Sequence, residues 1–395
     1  MIISGLRRVG LFPVEPLACV MGNLDLVRPL GLAGIRCASV ARTEHPVHFS
    51  RFVDERIELD RPGLVERLLR LAAAKSEPPV LFFQSDADLD LVSAHRERLA
   101  QAYRFLLPPA ELLRQLLDKE RFAALGERLG LPVPRTRVLT PMAEDSGPDD
   151  LGIDFPLVIK PLPHRDGRWH RLVSPGKVLR VDSPAALRTV WPRLRAAGKR
   201  FLAQELVPGP ERRVESYHVY VGGDRRIVGE FAGRKLRTLP LDFGRSTAVE
   251  TTDDPSVLAT GRMVVERLRL TGVAKLDFKR DSEGRLRLLE VNPRYTLWAH
   301  IGALAGVNLP ALSYADLTGV RRPAPARARP GVSWSWPRRD GAAARALGMR
   351  WSSWLRWTAG SDVKTNLSWD DPMPFVRGWL WPKLRAPARR GAGRS

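Results

Sequence analysis

The chain has 395 residues, 44% hydrophobic and 27% charged, with two cysteines and a formal net charge of +21. That length supports two or three domains with cores of their own, and no apolar run approaches the ~18 residues needed to cross a bilayer. Cys19 and Cys37 are too few for a disulfide framework or a cysteine metal cluster, and read as core thiols of a cytoplasmic protein.

The charge is uneven. Residues 321–395 hold fourteen Arg and two Lys against four Asp, so +12 of the total lies there and only +9 in the preceding 320 residues. A basic tail on a moderately basic body argues against specific nucleic-acid binding by the whole protein.

At the N-terminus, Arg7 and Arg8 precede an apolar stretch in the manner of a secretion signal. Pro13, Glu15 and Pro16 interrupt it, so a lead-in to a first strand is expected. Leu17–Met21, Cys37–Ala41 and Pro79–Phe83 read as buried strands, and Leu24–Leu32, Gly63–Ala74 and Asp86–Gln101 carry helical periodicity. This alternation predicts an α/β domain over 1–110 with a parallel, Rossmann-like sheet. No G-x-G-x-x-G accompanies it, so dinucleotide binding is not supported there.

A second unit, α+β in pattern, is expected over 111–320. Asp118 caps a helix that runs to Leu129. Strands are expected at Arg137–Thr140, Pro156–Lys160, Arg200–Val207, Tyr217–Val221, Arg226–Phe231, Val273–Lys279 and Arg285–Val291. Helices are expected at Pro184–Gly198 and Ala259–Leu270, and a loop at 141–150. After Gly319 a Pro- and Arg-rich linker opens a C-terminal extension, 321–395. Eight of the eleven Trp residues lie between 334 and 381, and 386–395 is expected to be disordered.

The chemistry concentrates near residue 290. Leu288 to Arg294 reads Leu-Leu-Glu-Val-Asn-Pro-Arg, and Asp277 precedes Glu290 by thirteen residues, with a turn-like Arg280–Gly284 between them. Side chains alternate along a strand, so Glu290 and Asn292 point one way, as do Lys275, Asp277 and Lys279. If the strands pair, one face holds two carboxylates, an amide oxygen and cations. Hard oxygen ligands beside lysine and arginine suit Mg²⁺ held between protein and a phosphate chain.

Four blocks in chain order resemble the ATP-grasp superfamily. They are Asp118-Lys-Glu-Arg-Phe122, Phe155-Pro-Leu-Val-Ile-Lys160-Pro, Gln204-Glu-Leu-Val-Pro-Gly-Pro-Glu211, and the Asp277, Glu290, Asn292 strand pair. The resemblance covers about 110–315, and the arrangement looks like that of stand-alone ligases of the D-aspartate ligase kind. It implies ATP bound between two α+β lobes, with a lid lobe near 135–200. It further implies a carboxylate activated as an acyl phosphate, and an amine or thiol that then displaces phosphate.

On this resemblance Lys119 and Lys160 contact the ATP phosphates. Gln204, Glu205, Leu206 and Val207 form the strand facing adenine, and Glu211 meets the ribose. Asp277, Glu290 and Asn292 hold two Mg²⁺, with Mn²⁺ a substitute, while Arg294 and Lys275 stabilise the transferred phosphoryl group. One departure is the stretch Pro161–His170, bulky and basic where relatives carry small Gly and Ser residues. The expected partners are a small-molecule carboxylate and an amine, with a homodimer left open. The competing readings are an ATP-grasp kinase that stops at phosphoryl transfer, and a basic membrane- or polyanion-binding protein with a degenerate nucleotide fold.

The acceptor side leaves alternatives open. Arg234, Lys235 and Arg237 either clamp a substrate carboxylate or are solvated; Tyr295, Trp298 and His300 either line the acceptor pocket or pack as core. Leu347, Trp351, Trp354 and Leu355 repeat at helical spacing among Arg345, Arg350 and Arg356. That stretch either packs on the body, or lies against an anionic inner membrane face through 345–385, or binds nucleic acid.

Overall fold

The structure is a computed structural model that describes residues 15–143, 147–149, 151–162, 178–321, 326–365 and 367–381. The expectations about Arg7, Arg8 and Pro13, most of the 161–170 stretch, and 386–395 lie outside those residues.

β1 (Ala18–Met21), β2 (Cys37–Ala41), β3 (Val53–Glu58) and β4 (Val80–Phe83) form a parallel sheet in the order β3-β2-β1-β4. Every residue of β1, β2 and β4 is buried, as expected of parallel strands covered on both faces. β3 was not foreseen. It is an edge strand whose exposed positions carry Asp54, Arg56 and Glu58, so its apolar signal is diluted. The stretch 86–101 breaks at His95 into helices Asp86–Ala94 and Arg96–Ala100.

Asp118 caps helix Lys119–Arg128, its Oδ1 accepting from Arg121 N at 2.9 Å. Next come β5 (Thr136–Leu139), β6 (Leu157–Leu162), β7 (Leu179–Val181) and β8 (Arg200–Glu205), an antiparallel sheet in the order β5-β8-β6-β7. Helix Pro184–Ala196 covers one face of this sheet with Leu187, Trp191 and Leu194.

The largest sheet has seven strands: β9 (Val214–Val221), β10 (Ile227–Leu239), β11 (Arg245–Thr252), β12 (Gly272–Arg280), β13 (Leu286–Asn292), β14 (Ser333–Ser335) and β15 (Val363–Lys364). Their order is β13-β12-β9-β10-β11-β14-β15. Helix Pro255–Leu268 lies on one face through Val257, Val264 and Leu268. Its Gly261 sits so close to Tyr217 that a Cβ would come within 2.4 Å of the ring. β10 runs eight residues past its expected end at Phe231, which places Arg234, Lys235 and Arg237 on a strand rather than in a loop.

The C-terminal stretch enters this sheet. β14 pairs antiparallel with β11, Val249 opposite Trp334, and Trp334 is buried. Asp371 accepts bonds from Arg28 Nε at 3.1 Å, Ser50 Oγ at 2.8 Å and Arg51 N at 2.9 Å, which ties the end of the described chain to the N-terminal unit. Trp354 is also buried, whereas Trp351, Trp369 and Trp381 are exposed. Among the described residues no helix is long and apolar enough to cross a membrane.

Candidate functional site

β12 and β13 pair antiparallel with Lys275 opposite Asn292 and Asp277 opposite Glu290, so the face expected from alternation is formed. It depends on a bulge. The register shifts after Asp277, so that Phe278 faces Leu288 and Leu289 is the extra residue. Leu286 and Leu288 are buried in the core, and strict alternation would send Glu290 after them. The bulge resets the phase: Val291 goes inward, and Glu290 and Asn292 turn to the open side.

Asp277 is buried and doubly held, by Lys275 Nζ donating to Oδ2 at 2.7 Å and by Ser216 Oγ donating to Oδ1. Burial opposes its ionisation, but the charges of Lys275 and Lys235 outweigh that cost and hold the carboxyl well below the usual carboxylate range. Glu290 is exposed and accepts from Asn292 Nδ2 at 3.0 Å. Lys160 Nζ donates to Gln204 Oε1 at 2.7 Å, and Gln204 Nε2 donates to Thr136 Oγ1 at 3.0 Å. Desolvation lowers the Lys160 pKa, partly offset by the charge of Glu290.

A cavity of about 260 Å³ gathers Lys119 and Lys160, the Gln204–Val207 stretch, Glu211, Asp277 and Glu290. Its apolar wall comes from Val158, Val214 and Leu289. Within it Glu211 Oε1 faces Lys279 Nζ at 3.5 Å, and the Leu206 N–H is committed to the Pro156 carbonyl at 2.9 Å. A larger cavity, about 600 Å³, holds Lys275, Asn292 and Arg294 and shares Asp277, Glu290 and Lys235 with the first. Its walls include Asn23, Gln84 and Asp86 from the N-terminal unit, and Trp298, Trp334 and Trp336. All twelve residues expected in the site therefore line one of two adjoining cavities.

The two cavities adjoin at a pair of facing carboxylates, Asp277 and Glu290. A sequence profile of the family described as "ATP-grasp in the biosynthetic pathway with Ter operon" matches residues 199–339. The chain is 23% identical over 278 residues to a D-aspartate ligase of Enterococcus faecium, covering 67% of this chain and 66% of that protein. Over residues 199–339 the chain is similar to the ATP-grasp family. A D-alanine–D-alanine ligase of Stutzerimonas stutzeri is 25% identical over 181 residues, spanning 45% of this chain and 54% of that one. The ADP complex of an N5-carboxyaminoimidazole ribonucleotide synthetase superposes with a TM-score of 0.61 at 15% identity, covering 86% of each chain. An L-amino acid ligase from Bacillus licheniformis gives 0.56 at 15% identity, over 77% of this chain and 74% of that one. At such identities these two likenesses show the fold.

The three basic residues of β10 separate cleanly. Arg234 pairs with Glu250 at the surface, and Arg237 is buried against Asp340 at 2.7 Å. Lys235 faces both cavities. A bulge between Lys235 and Arg237 puts these neighbours-but-one in such different surroundings, which spacing alone does not reveal. Trp298 lines the larger cavity, Tyr295 packs in the core with Ser313, and His300 is buried. Sequence reasoning passed over Asp86, whose carboxylate bonds Arg294 Nε at 2.5 Å from 208 residues away. It also passed over Leu289; the three-residue step from Leu288 to Val291 was the signal that could have found it.

Proposed function

We propose that this protein is an ATP-dependent carboxylate–amine ligase that works through an acyl phosphate. The observation that carries the reading is the meeting of a cavity lined by Lys119, Lys160 and Gln204–Val207 and a larger one at Asp277, Glu290 and Lys235. The relatives named above are a D-aspartate ligase and a D-alanine–D-alanine ligase, which supports the same reaction class here, although the matched stretches span only 66% and 54% of those proteins.

In this reading the smaller cavity takes ATP. Gln204, Glu205, Leu206 and Val207 face adenine, Glu211 the ribose, and Lys119 and Lys160 the phosphates. Asp277, Glu290 and Asn292 would hold Mg²⁺. The donor set fits: two carboxylates and one amide, one carboxylate already bonded by Lys275 and Ser216, leave an ion that must complete its shell with phosphate oxygens and water. Bound there, the ion would neutralise charge on the β- and γ-phosphates.

A substrate carboxylate oxygen bonds to the γ-phosphorus as the bond from that phosphorus to the β–γ bridging oxygen breaks, giving an acyl phosphate and ADP. The amine nitrogen then attacks the acyl carbon, phosphate departs with the C–O bond electrons, and the nitrogen loses a proton. Neither step needs much covalent help from the protein; both need charge held in place. Arg294 and Lys275 supply it beside the carboxylate pair, and Lys235 faces the acceptor side.

The test is ADP release screened over pairs of D- and L-amino acids, D-aspartate and D-alanine among them, with mass spectrometry of the product. The expected result is ADP formed only when both carboxylate and amine are present, with a condensed product. ADP formed with a stable phosphorylated product and no amine requirement would favour the kinase reading.

A further inference from the structure

Helix Trp351–Gly360 and the residues leading into it form a surface that the site does not use. Leu347, Trp351 and Leu355 follow one another four residues apart and are 52%, 55% and 47% exposed. Trp351 and Leu355 stand one helical turn apart on this helix, while Leu347, the C-cap of the preceding helix Pro337–Ala346, is exposed just before the turn at Gly348 that joins the two helices. The adjoining edge of the same helix is pinned. Trp354 Nε1 donates to Asp340 Oδ2 at 2.9 Å, Thr358 is buried, and the Arg237 guanidinium lies 4.0 Å from the Trp357 ring. Turning Trp351 and Leu355 inward would break the Trp354–Asp340 bond and the Arg237–Trp357 contact.

The charge around this surface has one sign. Arg345, Arg350 and Arg356 are exposed and make no ion pair among the described residues. No Asp or Glu occurs between Gly341 and Ser361. We propose that this face docks on an anionic lipid surface, with Leu347, Trp351 and Leu355 entering the headgroup boundary and the three arginines meeting lipid phosphates. Tryptophan suits that depth, since its ring is apolar and its N–H is not.

Other occupants fit less well. Nucleic acid bound without sequence preference needs free aromatic platforms. Two of the three exposed side chains are leucines, and Trp351 already stacks on Trp354 with centroids 4.3 Å apart. A second copy would bring the same arginines face to face across a two-fold axis, with no acidic residue between them.

The experiment is flotation of the full chain with vesicles of equimolar phosphatidylglycerol and phosphatidylcholine, against pure phosphatidylcholine, at low and high salt. The expected result is salt-sensitive association with the anionic vesicles alone, weakened about tenfold by Trp351→Ser/Leu355→Ser and separately by Arg350→Glu/Arg356→Glu. Both pairs are exposed, and unchanged thermal melting checks that they fold. Absence of vesicle association would overturn the proposal, as would association indifferent to both double variants. So would a dimer that Trp351→Ser/Leu355→Ser abolishes, or a preference for single-stranded oligonucleotide over vesicles. Flotation is read without turnover, so its outcome is separate from that of the ligase assay.

Discussion

Arg294 reaches across the molecule to Asp86: its Nε lies 2.5 Å from the Asp86 carboxylate, and its Nη1 donates to the Gln84 carbonyl at 3.2 Å. The guanidinium next to the carboxylate pair on β12 and β13 is thus aimed by the end of β4 and the start of the helix that follows it. Asp86→Asn keeps the shape and removes the charge. The expected outcome is a drop of about tenfold in kcat, since Asp86 holds the Arg294 guanidinium in place. Steady-state kinetics with ATP and acceptor varied separately checks it.

Lys235 and Arg237 lie two residues apart and are expected to fail in different ways. Lys235→Gln should cut turnover by about tenfold or more while leaving the melting temperature in place, because Lys235 lines both cavities. Arg237→Met should leave the Asp340 carboxylate, 0% exposed, without its countercharge, at a cost of about 3–5 kcal/mol. Urea unfolding beside an ADP-release assay separates the two. Equal stability loss in both variants would contradict the assignment.

Asp25 supplies a pH signature. It is buried, and desolvation pushes its carboxyl up to about 7, against the lowering effects of the Trp334 Nε1 bond at 3.0 Å and of Arg28. A raised carboxyl pKa means that, between the unfolded value and about 7, the unfolded chain has released a proton that the folded chain keeps. Stability contributed by this group is therefore full below about pH 4, falls as pH rises toward 7, and is level above it. The total is at most roughly 4 kcal/mol. Asp25→Asn retains an acceptor for Trp334 and removes the titration. Wild type is expected to lose stability relative to this variant from about pH 4 to 7, measured by urea unfolding at each pH.

Alternation, a local property, grouped Lys275 with Asp277 and Glu290 with Asn292, but the bulge at Leu289 that turns Glu290 and Asn292 to the open side was not read from it. The buried parallel strands were legible as unbroken apolar runs at β1, β2 and β4. Elements whose identity depends on distant partners were not. β3 hides among charges at a sheet edge, and β14 is three residues that become a strand only against Ala248–Glu250 of β11. The C-terminal stretch read as an appendage because a Pro-rich linker precedes it, yet Trp334 is part of the core and of the larger cavity. Asp86 and Arg294, 208 residues apart, carry no sequence signal of their meeting.

Glu290→Gln tests the central claim most directly. The substitution keeps the side-chain volume and an acceptor for Asn292 Nδ2, and removes the charge that lies opposite Asp277 and faces Lys160. Glu290 is exposed, so folding should be untouched. The expected result is a fall of about 100-fold or more in acceptor-dependent ADP release, with the melting temperature unchanged. Wild-type turnover in a well-folded Glu290→Gln protein would contradict the placement of phosphoryl transfer at this pair.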